Sequence, residues 1–235
     1  MQLTDFRVLT FDCYGTLIDW DSGIRAALEP LLRKAGVAPD AALQAFARHE
    51  AAQQAETPRM VYSDLLVAVH RRLAAEWGVA ATGQEHRDFG ASVPDWPAFP
   101  DSPAALAYLK RHYKLVILSN VDRASFAGSN KRLRVEFDAI CTAQDIGSYK
   151  PDPANFRYML ERVAALGHGK GEILHTAQSL FHDHAPAKRL GLARCWIDRR
   201  REQEGWGATM PAEADVDFRF TSLGAMAEAH RAGGA

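Results

Sequence analysis

Phe11-Asp12-Cys13-Tyr14-Gly15-Thr16-Leu17 follows directly on the chain's first apolar run, Arg7-Val8-Leu9-Thr10-Phe11, and puts a carboxylate at its end. The run reads as a buried strand. In an open α/β sheet, ligands bind outside the carboxyl ends of the strands, which is where Asp12 falls. Gly15-Thr16 would let the backbone turn tightly and aim N–H groups at an anion. Taken alone, the same residues also read as an ordinary turn.

The same kind of run recurs at residues 114–118, 137–142, 173–177 and 193–197. Near-continuous apolar strands suit a parallel sheet covered on both faces. Capped helices lie between several of them. Asp152-Pro153 is an N-cap followed by proline at the first helical position, and Phe156, Met159, Leu160, Val163 and Leu166 then form one stripe ending at Gly167. Ser102-Pro103 repeats the start signal ahead of Leu106 and Leu109. The alternation predicts an α/β, doubly wound core.

Residues 19–98 break the alternation, because they contain no convincing strand. Leu65, Leu66, Val69, Leu73 and Trp77 have helical spacing and end at Gly78; Asp40 starts another helix through Leu43, Phe46 and Ala47. A third pattern, Ile24 to Leu32, is interrupted by Pro30 and is expected to kink or split. Pro94-Asp95-Trp96-Pro97-Ala98-Phe99-Pro100 reads as the return hinge. The expected organisation is therefore a core of residues 1–18 and 99–235 with a helical insertion at 19–98, in keeping with 235 residues, about one and a half domains of ~150 residues. The closing Ala232-Gly233-Gly234-Ala235 reads as a frayed end.

Composition narrows the class. Lys and Arg number 28 against 29 Asp and Glu, a net charge of −1, and the hydrophobic fraction is 47%. Intrinsic disorder is excluded, and a dedicated nucleic-acid binder would show a basic face that Arg199-Arg200-Arg201 does not make. No apolar stretch reaches the roughly 18 residues of a membrane span, and the start does not resemble a signal peptide. Cys13, Cys141 and Cys195 are odd in number and far apart, which argues for a reducing, cytoplasmic setting without disulfides or a Cys-x-x-Cys metal site.

Further polar groups fall at the carboxyl ends of later strands: Ser119-Asn120, Tyr149-Lys150-Pro151, and Ser179 with Asp183. Singly they read as a turn, a surface lysine and a helix cap. Together with Asp12 they put four polar groups on one rim of one sheet. The set Asp12 to Thr16, Ser119-Asn120, Lys150-Pro151 and Asp183 with Gly191 resembles the haloacid dehalogenase superfamily. That resemblance implies a Rossmann-like core, an inserted helical cap domain over the site, and Asp12 as nucleophile.

Two departures select a branch. Magnesium-dependent phosphohydrolases of the superfamily carry a second aspartate where this chain has Tyr14, and a Gly-Asp where it has Ala177-Gln178. Attack of a carboxylate on a phosphate ester needs a cation and a proton for the alkoxide. Displacement of halide from a 2-haloacid needs neither. Tyr14 and Gln178 thus resemble the type II (S)-2-haloacid dehalogenase branch, which implies no cofactor.

Carried over from that branch, Asp12 displaces halide through an ester intermediate. Lys150 orients and balances it. Ser119 and backbone N–H groups from Cys13 to Thr16 hold the substrate carboxylate, with Tyr14, Thr16 and Ser179 beside it; Asn120 faces the halide, and Asp183 positions water. Arg48 is the best match for a halide-side arginine, with Arg25 and Arg59 as competitors. Phe156 and Leu180 stand where the branch commonly has tyrosine and asparagine, and Phe156 cannot donate a hydrogen bond.

The remaining candidates read more plainly. His175, His182 and His184 need not face one point as metal ligands. Cys13 points away from Asp12 along the strand, and Trp20 and Tyr62 read as core before they read as pocket. The expected partners are a small carboxylate, halide and water, with neither nucleic acid nor membrane; a homodimer is implied only by the resemblance. The alternatives are an atypical magnesium-dependent phosphatase and a catalytically silent member that binds an anion or a partner.

Overall fold

The computed structural model describes residues 1–202 and 205–233. Its sheet contains β1 (Val8–Phe11), β2 (Lys114–Ser119), β3 (Ala139–Thr142), β4 (Ile173–Ala177), β5 (Ala193–Ile197) and β6 (Phe218–Phe220). All neighbours run parallel in the order β3-β2-β1-β4-β5-β6. The chain builds outward from β1 through β2 to β3, then returns to β4 on the other side of β1. This reversal leaves a crevice beyond the carboxyl ends of β1 and β4. β6 had no signal in the sequence: it is three residues long, only partly buried, and an edge strand paired to β5 alone.

Strand side chains alternate between two apolar layers, as period two requires. In β2, Leu115 and Ile117 enter one layer, while Val116 and Leu118 enter the other with Phe156, Met159 and Val163. Around the sheet lie α5 (Ser102–Leu109), α6 (Arg123–Leu133), α7 (Ala143–Ile146), α8 (Pro153–Ala165), α9 (Ala185–Arg189) and α10 (Leu223–Gly233). Asp152 caps α8 as expected, its carboxylate accepting from the Ala154 N–H at 2.7 Å. Ser102 does not cap α5, for which Asp101 is the residue before the helix; its hydroxyl donates instead to the Leu17 carbonyl.

Four helices lie between β1 and α5: α1 (Trp20–Ala35), α2 (Pro39–Glu56), α3 (Tyr62–Glu76) and α4 (Gly83–Gly90). Contrary to expectation, α1 is not split at Pro30. The carbonyl that Pro30 leaves without an intrahelical donor belongs to Ala26, and both residues lie on the exposed face, where water can satisfy it. α2 begins at Pro39 rather than Asp40, because proline's fixed φ suits the first helical position.

The excursion leaves and returns through one neck. Asp19 N–H donates to the Pro97 carbonyl and Phe99 N–H to the Leu17 carbonyl, at 2.8 and 3.0 Å. Trp96 of the return hinge is buried against Gly23, where a Cβ would stand 2.3 Å from the indole Cγ. At the other end of the chain, Ala232 and Gly233, expected to lie outside regular structure, form the last residues of α10; Gly234 and Ala235 lie outside the described residues. No helix among the described residues is long and apolar enough to cross a membrane.

Candidate active site

The alternation of β1 sends Val8, Thr10 and Asp12 to one face of the sheet and Leu9, Phe11 and Cys13 to the other. Asp12 therefore emerges over the crevice. Cys13 is buried in the opposite apolar layer, where burial pushes its thiol well above the ordinary value. Both Asp12 oxygens have partners: Oδ1 accepts from Lys150 Nζ and Oδ2 from Thr16 Oγ1, each at 2.8 Å.

Lys150 reaches the site from the segment after α7, and its side chain is 1% exposed. Its ammonium donates to Asp12 Oδ1 at 2.8 Å, Leu118 O at 2.9 Å and Asp183 Oδ1 at 2.8 Å. An ammonium has three N–H bonds, so all of them are used. Asn120 holds the same residue by its backbone, accepting from Lys150 N–H at 2.7 Å and donating to Lys150 O at 3.0 Å. Asn120 lines the cleft, but its amide clamps the lysine loop.

β4 supports Asp183 from below. Thr10 and His175 are register partners across β1 and β4; Thr10 Oγ1 lies 2.8 Å from His175 Nδ1, and His175 Nε2 lies 3.0 Å from Asp183 Oδ1. The consistent tautomer has Nε2–H donating to the carboxylate and the threonine hydroxyl donating to Nδ1. Phe156 sits edge-on to the His175 ring, 5.3 Å between centroids, behind the site and outside the cleft lining. Asp183 Oδ2 is buried and has no hydrogen-bond partner.

Burial raises the Asp12 pKa, Lys150 opposes it, and the Asp183 charge adds to it; the balance stays above the ordinary value. Burial would also raise Asp183, but Lys150 and His175 outweigh it and hold that carboxyl well below the usual range. The lysine is held above its ordinary value, burial being overcome by the two carboxylates. The three groups thus form a cluster in which Lys150 and Asp183 stay charged.

A cleft opens over Asp12. Of the site residues read from sequence, Asp12, Tyr14, Ser119, Asn120, Lys150, Ser179 and Asp183 line it. Ser119 Oγ is buried without a partner, Tyr14 OH lies 2.9 Å from Ser129 Oγ, and Ser179 Oγ accepts from the His182 N–H at 3.0 Å. Thr16 does not line the cleft, because its hydroxyl donates to Asp12 and accepts from the Gln178 N–H. Two turn amides expected to face an anion are used within the turn, Gly15 N–H on Ile18 O and Thr16 N–H on Cys13 O.

Arg48, expected on the halide side, does not reach the cleft. It lies on the exposed side of α2, its side chain 57% exposed and paired with Glu76 at 3.0 Å. Arg25 pairs with Asp40 outside this cleft, and Arg59 is exposed. At 3.6 residues per turn, a residue two positions from Arg48 faces the opposite way, and that residue is Glu50. Glu50 and Gln54, one turn apart, line the cleft with Trp20, Tyr62 and His182. Trp20 and Tyr62 thus belong to the site as well as to the core. Glu50 and Gln54 continue the inward stripe begun by Leu43, Phe46 and Ala47, so polar residues in register with an apolar stripe were the available signal.

His182 lines the cleft, where burial lowers its pKa to about 4. His184 Nε2 lies 2.9 Å from the Ala177 carbonyl. No group of three metal-binding side chains occurs among the described residues.

Solved structures share this architecture. An L-2-haloacid dehalogenase is 26% identical, with a TM-score of 0.77 over 97% of this chain and 99% of that one. The L-2-haloacid dehalogenase of Xanthobacter autotrophicus with chloropropionic acid covalently bound is 18% identical, at 0.78 over 96% and 98%. A magnesium-bound hydrolase of the same fold from Bacillus subtilis is also 18% identical, at 0.71 over 93% and 95%. At 18% the likeness is one of fold. No curated protein sequence matches the chain. The description haloacid dehalogenase-like hydrolase matches residues 6–175, from the start of β1 into β4. Those residues carry the aspartate after β1, the serine ending β2 and the buried lysine, and the chain belongs to the haloacid dehalogenase-like hydrolase family.

Proposed function

We propose that the protein hydrolyses small 2-haloalkanoic acids by direct displacement at the α-carbon, without a metal. The observation that carries this reading is Lys150 Nζ, 2.8 Å from both Asp12 and Asp183 and buried between them. The lysine opposes the burial that would otherwise favour the neutral form of the nucleophilic carboxylate. Asp12 attacks in line, halide leaves with the bonding pair, and the α-carbon inverts as an aspartyl ester forms. The unpartnered Ser119 hydroxyl is available to the substrate carboxylate. The free Asp183 Oδ2 is suited to hold the water that cleaves the ester, which returns Asp12 and releases a 2-hydroxy acid.

The donor set does not fit a magnesium ion. Hard cations take several oxygen ligands. Here Asp12 and Asp183 share one ammonium, Tyr14 stands in place of a carboxylate, and Gln178 Oε1 accepts from Thr209 Oγ1 at 3.1 Å.

The test is halide release from 2-chloropropionate and 2-bromopropionate, with Asp12→Asn as the inactive control. A single turnover in isotopically labelled water is expected to place label in the Asp12 carboxylate. Robust phosphate release abolished by EDTA, with no halide released, would overturn the reading in favour of a phosphatase. Absence of either activity would leave a silent binding protein.

A further inference from the structure

The wall of the cleft contributed by α2 and α3 is acidic where a halide-binding arginine was expected. Glu50 is 4% exposed and lines the cleft with Asp12; its Oε1 accepts from Tyr62 Oη at 2.6 Å. Among the described residues, the only lysine or arginine lining that cleft is Lys150, whose three N–H bonds are already used. An anion departing from the α-carbon therefore finds no free cation among the described lining residues.

We infer that Glu50 is the proton donor to the leaving group, and that the site also opens small 2-carboxylates whose leaving group departs as an alcohol from a strained ring. This rests on the reading of Asp12 as nucleophile and concerns the opposite side of the reacting carbon. Such a group cannot leave as a bare alkoxide, and general acids contribute about 10²–10⁴-fold in such steps.

The electrons and protons balance. Asp12 attacks the α-carbon of an oxirane-2-carboxylate, the Cα–O ring bond breaks, and its pair goes to the ring oxygen. That oxygen takes the Glu50 proton. Water then cleaves the ester at the Asp12 carboxyl carbon. One water proton ends on the α-hydroxyl of the 2,3-dihydroxy acid, and the other restores Glu50.

The surroundings keep Glu50 protonated into the neutral range. Burial pushes it up to about 7, against the Tyr62 hydrogen bond, which lowers it. The titratable groups around it are Tyr62 on α3, Tyr149 before the lysine, Tyr14 and Asp12 after β1, Lys150 and Asp183 from the core, and His182 after β4.

The experiment compares oxirane-2-carboxylate with 2-chloropropionate, using Glu50→Gln and Tyr62→Phe. Glu50→Gln is expected to lower the ratio of kcat on the oxirane to kcat on the chloroacid by about 100-fold or more. In the native protein, kcat on the oxirane falls as pH rises through about 7, and the glutamine variant loses that limb. Tyr62→Phe removes the bond that stabilises the charged form, so the limb moves to higher pH. An unchanged ratio in Glu50→Gln, a limb that persists in it, or no turnover of the oxirane by a protein that releases halide would overturn the proposal. Label in Asp12 after one turnover of 2-bromopropionate tests the nucleophile separately, so the two failures are distinguishable.

Discussion

Replacing Lys150 by methionine removes the one cation between two buried carboxylates while nearly preserving side-chain volume. Asp12 Oδ1 and Asp183 Oδ1 each lose a 2.8 Å charge-assisted bond, and Leu118 O loses one at 2.9 Å. Breaking a buried ion pair from one side costs about 3–5 kcal/mol, because the remaining charge is left uncompensated. At ~2–4 °C per kcal/mol for a domain of this size, the melting temperature should fall by roughly 6–20 °C at neutral pH. The effect has a definite pH dependence. Asp183 has a folded pKa below its unfolded value, so its contribution to native stability is present at neutral pH and is lost as pH falls through and below the ordinary carboxylate range. In the variant, burial and mutual repulsion hold the carboxyls above their unfolded values, a penalty present at neutral pH and relieved by protonation. Both effects narrow the gap on acidification. Urea unfolding followed by circular dichroism, at neutral pH and again at about pH 4, near the unperturbed carboxylate pKa, measures it. Adding Asp183→Asn should recover part of the loss at neutral pH. A neutral-pH deficit below about 1 kcal/mol, or a deficit equal at both pH values, would refute the account of Lys150 as the charge that balances the pair.

Thr16→Val removes the donor to Asp12 Oδ2 and the acceptor of the Gln178 N–H, so a stability loss of about 1–3 kcal/mol is expected. Because the Thr16 bond lowers the Asp12 pKa, the acid limb of the pH–rate profile should move to higher pH in that variant. Arg48→Ala should leave kcat/KM within ~2-fold and change stability by at most about 1 kcal/mol, since its ion pair is exposed; a large kinetic loss would return the arginine to the site. Gly23→Ala places a methyl group 2.3 Å from Trp96 Cγ, and a shift in urea midpoint equivalent to about 1–3 kcal/mol is expected.

The strand runs, the helical excursion between β1 and β2, and the polar residues at the strand ends were all legible in sequence, because each depends on local spacing. Period-two alternation is enough to send Asp12 and Cys13 to opposite faces. Asp152-Pro153 is enough to start α8. β6 was not legible, since a short edge strand needs no continuous apolar run. Pro30 was legible as a break, but whether a break splits a helix depends on whether water can reach the freed carbonyl, and that is settled by which face is exposed.

The site divides along the same line. Asp12, Ser119, Lys150 and Asp183 could be named from their positions in the chain, because the carboxyl ends of parallel strands converge on one rim. Their partnerships could not: the saturation of Lys150, the Thr10–His175–Asp183 column and the Asn120 clamp join residues far apart in sequence. The opposite wall was out of reach altogether. Arg48 and Glu50 are two residues apart on one helix, and only the docking of α2 against the core decides which faces the nucleophile. Local spacing determines how a helix divides its residues among its faces; the packing of that helix determines which face meets the substrate.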